Sequence, residues 1–353
     1  MKKEKVKEPF ALLINDIHVS KDNIPEFQAN WNEALEICEK LGIEDMVIGG
    51  DLWQSRSAQT LSTLIAVRQA IIKATNKGID LTIAEGNHDK VDQESMLGYS
   101  HLFSEYPYVV VVDDWGIVEI DHDNQVALYV MSYFPENGSF MSKLEEVIND
   151  LKSGWYNILY IHQGIKGGLS QPSEDELPAN IFSKFDAVLV GHYHDRKKIK
   201  GTNIEYIGAS RQHNFGEDEK KGYTVLYTDG SHEFIQNQAN MRYKVMEIEA
   251  IDINSDVLDE IEDIKAEGRY RIKVKVNCND KEAANFAMTK QALIDAGAMR
   301  VEVVNEDITV TTTEAQSLDS KYDKNGIKRE YSEYCSENEI NVDLGLQYLD
   351  KID

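Results

Sequence analysis

The chain has 353 residues, more than one average domain holds, with 42% hydrophobic and 28% charged residues, the balance of a globular protein with a sizeable core. Lys and Arg number 37 against 62 Asp and Glu, a formal net charge of −25. This argues against recognition of nucleic acid through a broad basic surface, but not against nucleic-acid chemistry at bound divalent cations, which bring their own positive charge. The three scattered cysteines, Cys38, Cys278 and Cys335, indicate neither a disulfide framework nor a cysteine zinc site and fit a reducing, cytoplasmic setting. No apolar stretch approaches the roughly 20 residues that cross a bilayer, and the run 10–14 is too short for a signal-peptide core, so no membrane association is expected.

Residues 9–14 read as a buried strand running into Asn15-Asp16-Ile17-His18. Residues 25–41 place Phe27, Trp31, Leu35 and Cys38 four, four and three apart, the spacing of an amphipathic helix, which ends at Gly42. A strand over 45–48 leads into Gly49-Gly50-Asp51. A helix over 60–76 closes at Gly78 and feeds a strand over 80–84, followed by Glu85-Gly86-Asn87-His88-Asp89. The alternation predicts an α/β fold with helices on sheet faces. Strands over 156–161 and 185–190 repeat the arrangement, leading into His162 and into Gly191-His192-Tyr193-His194. Segments 109–112, 116–120 and 126–131 are expected to form a second sheet, closed by 205–208 and 223–227, giving a two-sheet β-sandwich flanked by helices. Beyond residue 240 the texture changes. Strands over 243–248, 270–276 and 299–304, and a helix over 281–297 with Phe286, Met288 and Leu293 as its apolar positions, describe a small α+β domain. From 313 the chain is polar and acidic until a short helix over 342–349, whose Tyr348 and Leu349 either pack locally or anchor in a partner's groove. The predicted division is therefore 1–240, 241–312 and 313–353.

Five polar clusters terminate five predicted strands: Asp16-x-His18, Gly50-Asp51, Gly86-Asn87-His88-Asp89, His162 and Gly191-His192-x-His194. Each has a bland explanation alone, as a cap, a turn or a satisfied core histidine, but those explanations do not account for the ordered set. Two divalent ions about 3.5–4 Å apart clamp the attacking and leaving oxygens of an in-line phosphoryl displacement. Such a pair needs a bridging carboxylate, and mixed His, Asp and Asn donors suit Mn, Fe or Zn better than Mg. Asp51, preceded by two glycines that let the backbone turn tightly, is the natural bridge. His88 follows the ligand candidate Asn87 and does not easily turn to the same ion. It is free to act on substrate, either stabilising the pentavalent charge or protonating the leaving oxygen. Asp89 either orients that imidazole or caps the next segment.

The ordered set resembles the calcineurin-like metallophosphoesterase superfamily. Gly50-Asp51-Leu52-Trp53-Gln54-Ser55-Arg56, Ile83-Ala84-Glu85-Gly86-Asn87-His88-Asp89 and Ile207-Gly208-Ala209-Ser210-Arg211-Gln212-His213-Asn214-Phe215-Gly216-Glu217 are similar to the meiotic-recombination-eleven nucleases, whose bacterial type is SbcD. The likeness covers residues 9–230; beyond 240 it is one of layout. It implies one Mn(II) held by Asp16, His18, Asp51 and His194, a second held by Asp51, Asn87, His162 and His192, and His88 as the catalytic histidine. It also implies a domain at 240–312 that caps the site and positions DNA, a tail that docks on a coiled-coil ATPase of the SbcC or Rad-fifty type, and a homodimer. One departure is Gln54, where many members carry His or Asp. Gln neither titrates nor carries charge, so it offers no acid–base or metal-tuning function there, and the phosphodiesterase core is expected to work without it but with a different balance of exonuclease to endonuclease activity.

Arg196, Lys197, Lys198 and Lys200 form the strongest basic run, read either as a DNA-backbone contact or as a solvated loop. Arg211 and His213 are candidates for lining the cleft. The expected function is a Mn-dependent DNA phosphodiesterase, a 3′–5′ exonuclease and structure-dependent endonuclease working with a separate ATPase in break processing. The alternatives are an esterase for small or cyclic phosphodiesters and a catalytically weak scaffold.

Overall fold

The unbroken apolar run at the N-terminal end becomes β1 (Pro9–Ile14), whose last four residues are buried because both faces of its sheet are covered. In the computed structural model, which describes residues 7–169, 175–278, 286–305 and 335, β1 leads to α1 (Ile24–Leu41), β2 (Asp45–Gly49), α2 (Leu61–Thr75) and β3 (Asp80–Ala84). Pro25 lies in the first turn of α1, where its missing N–H costs nothing. The helix stops at Gly42, whose left-handed backbone (φ 67°) returns its N–H to the Cys38 carbonyl. At the start of α2 the Thr60 hydroxyl accepts from the Thr63 amide, a side-chain N-cap.

The chain continues through β4 (Val109–Val112), β5 (Trp115–Asp121), β6 (Val126–Met131), α3 (Phe140–Asp150), β7 (Tyr156–His162), β8 (Ala187–Gly191), the two-residue β9 (Lys197–Lys198), β10 (Ile204–Tyr206), β11 (Gly222–Tyr227) and β12 (His232–Gln236). Two six-stranded sheets result, in the orders β12-β11-β1-β2-β3-β4 and β5-β6-β7-β8-β10-β9. Both are mixed: β1, β2, β3 and β4 run parallel while β11 is antiparallel to β1, and β6, β7, β8 and β10 run parallel while β5 is antiparallel to β6. Ala11, Leu13, Val47, Leu128, Val130, Ile158, Tyr160 and Leu189 fill the space between them. The α1 and α2 side chains Phe27, Trp31, Leu35 and Ile71 pack on the outer face of the first sheet, and Phe140, Leu144 and Val147 of α3 on that of the second. The expected two-sheet sandwich flanked by helices is the fold observed.

Two strands sit in the other sheet from the one expected. Residues 109–112 extend the first sheet by pairing parallel with β3, and residues 222–227 join the same sheet beside β1. An apolar run identifies a strand but not its partner, which is chosen by chain connectivity.

The smaller unit holds β13 (Arg242–Glu249), α4 (Ser255–Ala266), β14 (Tyr270–Cys278), α5 (Ala287–Ala296) and β15 (Arg300–Asn305). Its three strands are parallel in the order β13-β14-β15, and Ile261, Ile264, Ile272, Val274, Val276, Leu293 and Val301 form a core of their own. Helix α4 was not expected, although the Asn254 side chain caps it by accepting from the amides of Asp256 and Val257. Met288, expected on the apolar face of the last helix, is instead 86% exposed, because Leu293 and Ala296 supply the contact with the sheet. The predicted helix over 342–349 lies outside the described residues. Among the described residues, no helix is long and apolar enough to cross a membrane.

At Gly49 the second sheet packs directly on the backbone of the first: a Cβ there would lie 2.0 Å from Tyr160 Cζ. We predict that Gly49→Ala destabilises the protein by about 1–3 kcal/mol through overpacking, read as a lowered urea midpoint. Adding Tyr160→Leu should recover part of the loss, so that the double variant is less than additive.

Candidate metal centre

Every predicted cluster lies at the C-terminal end of its strand, β1, β2 and β3 from one sheet and β7 and β8 from the other, which is where α/β sheets gather ligands. Past their ends the first two strands remain paired as loops. Asp16 N–H donates to the Gly50 carbonyl (3.1 Å), and the amides of Ile17 and His18 both donate to the Asp51 carbonyl (2.9 and 3.0 Å). This holds Asp16, His18 and Asp51 in left-handed backbone (φ 51°, 51° and 52°), as His192 is at 87°. Such geometry costs non-glycine residues of order 1–3 kcal/mol each and persists only where surrounding structure enforces it. Space is made by glycine: a Cβ on Gly86 would lie 2.2 Å from Asp51 Oδ1, and one on Gly50 2.6 Å from His162 Nδ1.

The side chains converge. Asp51 Oδ2 lies 3.5 Å from His18 Nε2 and 3.3 Å from His162 Nε2, between histidines from different sheets. Asp16 Oδ1 is 3.9 Å from the same two nitrogens and 3.8 Å from His194 Nε2. His18 Nε2 and His194 Nε2 face each other at 3.1 Å, and His192 Nδ1 is 3.1 Å from Asn87 Oδ1. Asp16, His18 and His194 form one compact donor group and Asp16, Asp51 and His162 another, so Asp16 also reaches the set in which it was not expected.

A second layer aims these groups. His162 Nδ1–H donates to the Gly49 carbonyl (3.1 Å), turning Nε2 inward, and His194 Nδ1–H donates to Glu217 Oε1 (2.8 Å). Tyr160 donates to Asn15 Oδ1 (2.8 Å), and Asn15 in turn donates to Asp16 and to the Gly208 carbonyl. A divalent ion fits this donor set: His162 Nε2 is fully buried without an aligned hydrogen-bond partner, and nitrogen and oxygen donors of intermediate hardness surround it.

The electrostatics prepare the same site. Burial pushes the His18 imidazole down to about 4, against the pull of Asp51 and Asp16. Burial and then the neighbouring His162 do the same to His192, also to about 4. His162 goes the other way. Burial works to lower it, but Asp51 and Asp16 together override that and hold it at about 9. Asp51, although buried, is held well below the usual carboxylate range by His162 and then His18.

His88 is placed beside this centre. Its ring meets that of His18 edge-on at 5.0 Å, its amide donates to Asp51 Oδ1 (2.8 Å), and its Nδ1–H donates to the main-chain carbonyl of Gln54 (2.8 Å). Gln54 thus contributes a carbonyl, while its side chain is exposed. Asp89 does not orient His88, which corrects one of the two roles expected for it. Its buried carboxylate accepts the amides of Leu52, Trp53 and Gly86, tying together the loops that carry Asp51 and His88.

The residues expected to contact substrate divide. Arg196 is committed within the protein: it pairs with Glu205 (2.7 Å), donates to the Ile207 carbonyl and Thr224, and lies over Phe234. Arg196 thus serves the protein's own packing, which neither expected reading, a DNA-backbone contact or a solvated loop, described. Lys198 is exposed on β9, while Lys197 donates to the Gly168 carbonyl and helps line an open cleft of about 580 Å³ with His192, Tyr193, His194, Asn214 and Glu217. Arg211 is buried, with one nitrogen on the Ile17 carbonyl (3.3 Å), so it supports the β1 loop. His213 is part of the centre's wall, donating through Nε2–H to the Asp16 carbonyl (2.8 Å) with its ring 5.1 Å from that of His18 and 4.9 Å from that of His194. Glu217 and Asn15 were not singled out from sequence. Asn15 directly precedes Asp16, but a carboxylate in a polar loop carries no local mark of what it will touch.

A two-sheet sandwich with this donor set at its strand ends defines a metallophosphoesterase. The family model described as calcineurin-like phosphoesterase matches residues 11–196, just over half of the chain, and the chain belongs to that family. It is similar to the putative phosphoesterase 244L of Invertebrate iridescent virus 6, with 28% identity over 226 residues, 61% of this chain and 74% of the viral protein. It is also similar to the D component of the nuclease SbcCD of Staphylococcus saprophyticus, with 24% identity over 209 residues, 51% of this chain. That match spans about half (54%) of the staphylococcal protein's length. Among solved structures, the nuclease MPE of Pseudomonas putida aligns with 62% of this chain and 84% of its own, at 16% identity and a TM-score of 0.30.

Because His162 carries a proton below about pH 9 in the ion-free protein, an ion that takes its Nε2 at pH 7 displaces that proton. Apparent affinity should therefore rise with pH up to about 9, by up to about tenfold per unit, and proton release should appear in titration calorimetry as a dependence on buffer ionisation enthalpy. Gln54→Ala keeps the carbonyl that holds His88, so it should leave phosphodiester turnover within about threefold of the parent, whereas His88→Ala should lower it by about 10²–10⁴. Rates with bis(p-nitrophenyl) phosphate measure both.

Proposed function

We propose that the protein is a Mn(II)-dependent DNA phosphodiesterase, a 3′–5′ exonuclease and structure-dependent endonuclease. The observation that carries the reading is the placement of Asp51 Oδ2 between His18 and His162, with Asp16, His194, Asn87 and His192 around it. In this reading Asp16, His18, Asp51 and His194 hold one ion, and Asp51, Asn87, His162 and His192 hold the other. Bound there, the two ions would supply Lewis acidity and an activated water for attack on phosphorus. The chain's own residues do the rest. His88, held through Nδ1 by the Gln54 carbonyl, presents Nε2 to the phosphate and stabilises the developing charge or protonates the leaving oxygen. Asp89 keeps the two loops in register so that His88 and the Asp51 carboxylate stay side by side.

The likeness to a protein named as a subunit of the nuclease SbcCD supports a nucleic-acid substrate and a further subunit as partner; we take these to be DNA and the coiled-coil ATPase that the sequence resemblance implies. In this reading the tail, residues 313–353, docks on that ATPase, the unit from β13 onward caps the site over DNA, and the chain works as a homodimer in the cytoplasm.

The test is an end-labelled duplex with Mn(II). The parent should release nucleotides from the 3′ end, and His88→Ala, checked to bind the same number of ions, should not. Cleavage of a small or cyclic diester but not of DNA would give the function to the small-substrate alternative, and His88→Ala turning over at the parent rate would remove His88 from the mechanism.

A further inference from the structure

We propose that Glu217 is the positioning residue for His194, and that Gln212 ties this pair to the smaller unit, so that seating of that unit on the sandwich and ion occupancy at His194 are linked. The proposal rests on the metal-centre reading above.

Glu217 lies in the segment between β10 and β11, 23 residues along the chain from the histidine it meets. Its Oε1 accepts from His194 Nδ1 (2.8 Å) and from the Asn214 side-chain amide (2.8 Å), and its Oε2 accepts from the His213 main-chain N–H (2.9 Å). Each contact lies within one loop and the His194 ring. Because Nδ1 is occupied, Nε2 is left pointing at His18 and Asp16. A carboxylate in this position fixes the ring's rotation and raises the basicity of the nitrogen that faces an ion. The same loop closes a second contact: His213 reaches the Asp16 carbonyl (2.8 Å), so it grips the centre from two sides.

At its other end the loop grips β13. The Gln212 side chain accepts the Tyr243 amide at Oε1 (2.8 Å), while its Nε2 donates to the Tyr243 carbonyl (2.9 Å) and to the Glu217 carbonyl (2.7 Å). One side-chain amide thus pairs with both main-chain groups of a single strand residue, as a neighbouring strand would. Phe215 adds an edge-on contact to the Tyr243 ring (5.0 Å, 90°). The loop from Gln212 to Glu217 therefore connects the first strand of the smaller unit to a candidate ligand without a break. Two sites joined in this way are linked reciprocally: whatever holds Tyr243 against Gln212 favours the ion, and the ion favours that contact.

The test is Mn(II) uptake by the full chain, followed by the paramagnetic resonance of free Mn(II), together with hydrogen exchange at β13. Glu217→Ala and Glu217→Gln should weaken one ion site about 10- to 100-fold and leave the other in place. Gln212→Ala, which removes no contact to any ligand, should weaken that same site about 5-fold or more. In the parent, saturating Mn(II) should slow exchange of the Tyr243 amide, and in Gln212→Ala it should not. If Glu217→Ala fails to fold, Glu217→Gln carries the same expectation. Equal loss at both ion sites, or a folded Gln212→Ala with parental affinity, overturns the proposal. A parent that takes up no Mn(II) overturns the metal-centre reading itself, a result distinct from a parent that binds as its variants do.

Discussion

Asp51 is gripped from three directions, and the rest of the site is arranged around that grip. Its main-chain carbonyl takes two amides from the β1 loop, one carboxylate oxygen takes the His88 amide, and the other lies between histidines contributed by different sheets. A buried carboxylate in that position is costly unless cations or donors surround it. Here His162 and His18 hold it ionised, the glycine at 86 leaves out a side chain that would displace it, and the glycine at 50 leaves out one that would displace His162. The sandwich can be read as the apparatus that brings β1, β2 and β3 of one sheet and β7 and β8 of the other to a single carboxylate.

That arrangement explains why helices flank the sheets and the chemistry does not involve them. Parallel strands need crossovers, the crossovers cover the outer faces, and the strand ends stay open on one side. The second layer is then mostly main chain: Gly49 for His162, Gln54 for His88, Asp16 for His213. Carbonyls fixed by strand and loop main-chain pairing do not swing, so the imidazoles they hold are oriented before any substrate arrives, and orientation achieved in advance is what lowers barriers in such sites. Among the histidines' partners outside the donor set, Glu217 is the exception, a side chain reaching across a loop, and it serves the partly exposed His194.

Much of this was legible in the residues because the information was local. A strand-ending cluster such as Gly86-Asn87-His88-Asp89 states its chemistry and its position together, and five of them in order left little freedom for the site. Non-local facts were not legible. Val109–Val112 and Gly222–Tyr227 look like any apolar strands, and only the path of the chain decides that they flank β3 and β1. Arg196 stood in the most basic run of the chain, yet its partner Glu205 arrives from the next strand but one and draws it inward. Helix α4 has a capping Asn254, but its acidic character hid a narrow apolar face of Ile261 and Ile264.

The carbonyl that holds His88 carries a consequence for how this site is inherited. Every residue that can stand at position 54 brings a carbonyl with it, so no single codon encodes the group that sets the imidazole's tautomer. It is encoded instead by the path of the loop, through the amides that Asp89 gathers and the strand-like pairing with Val19. The side chain at 54 is exposed and takes no part in that contact, so substitution there is free of the constraint that fixes the ring.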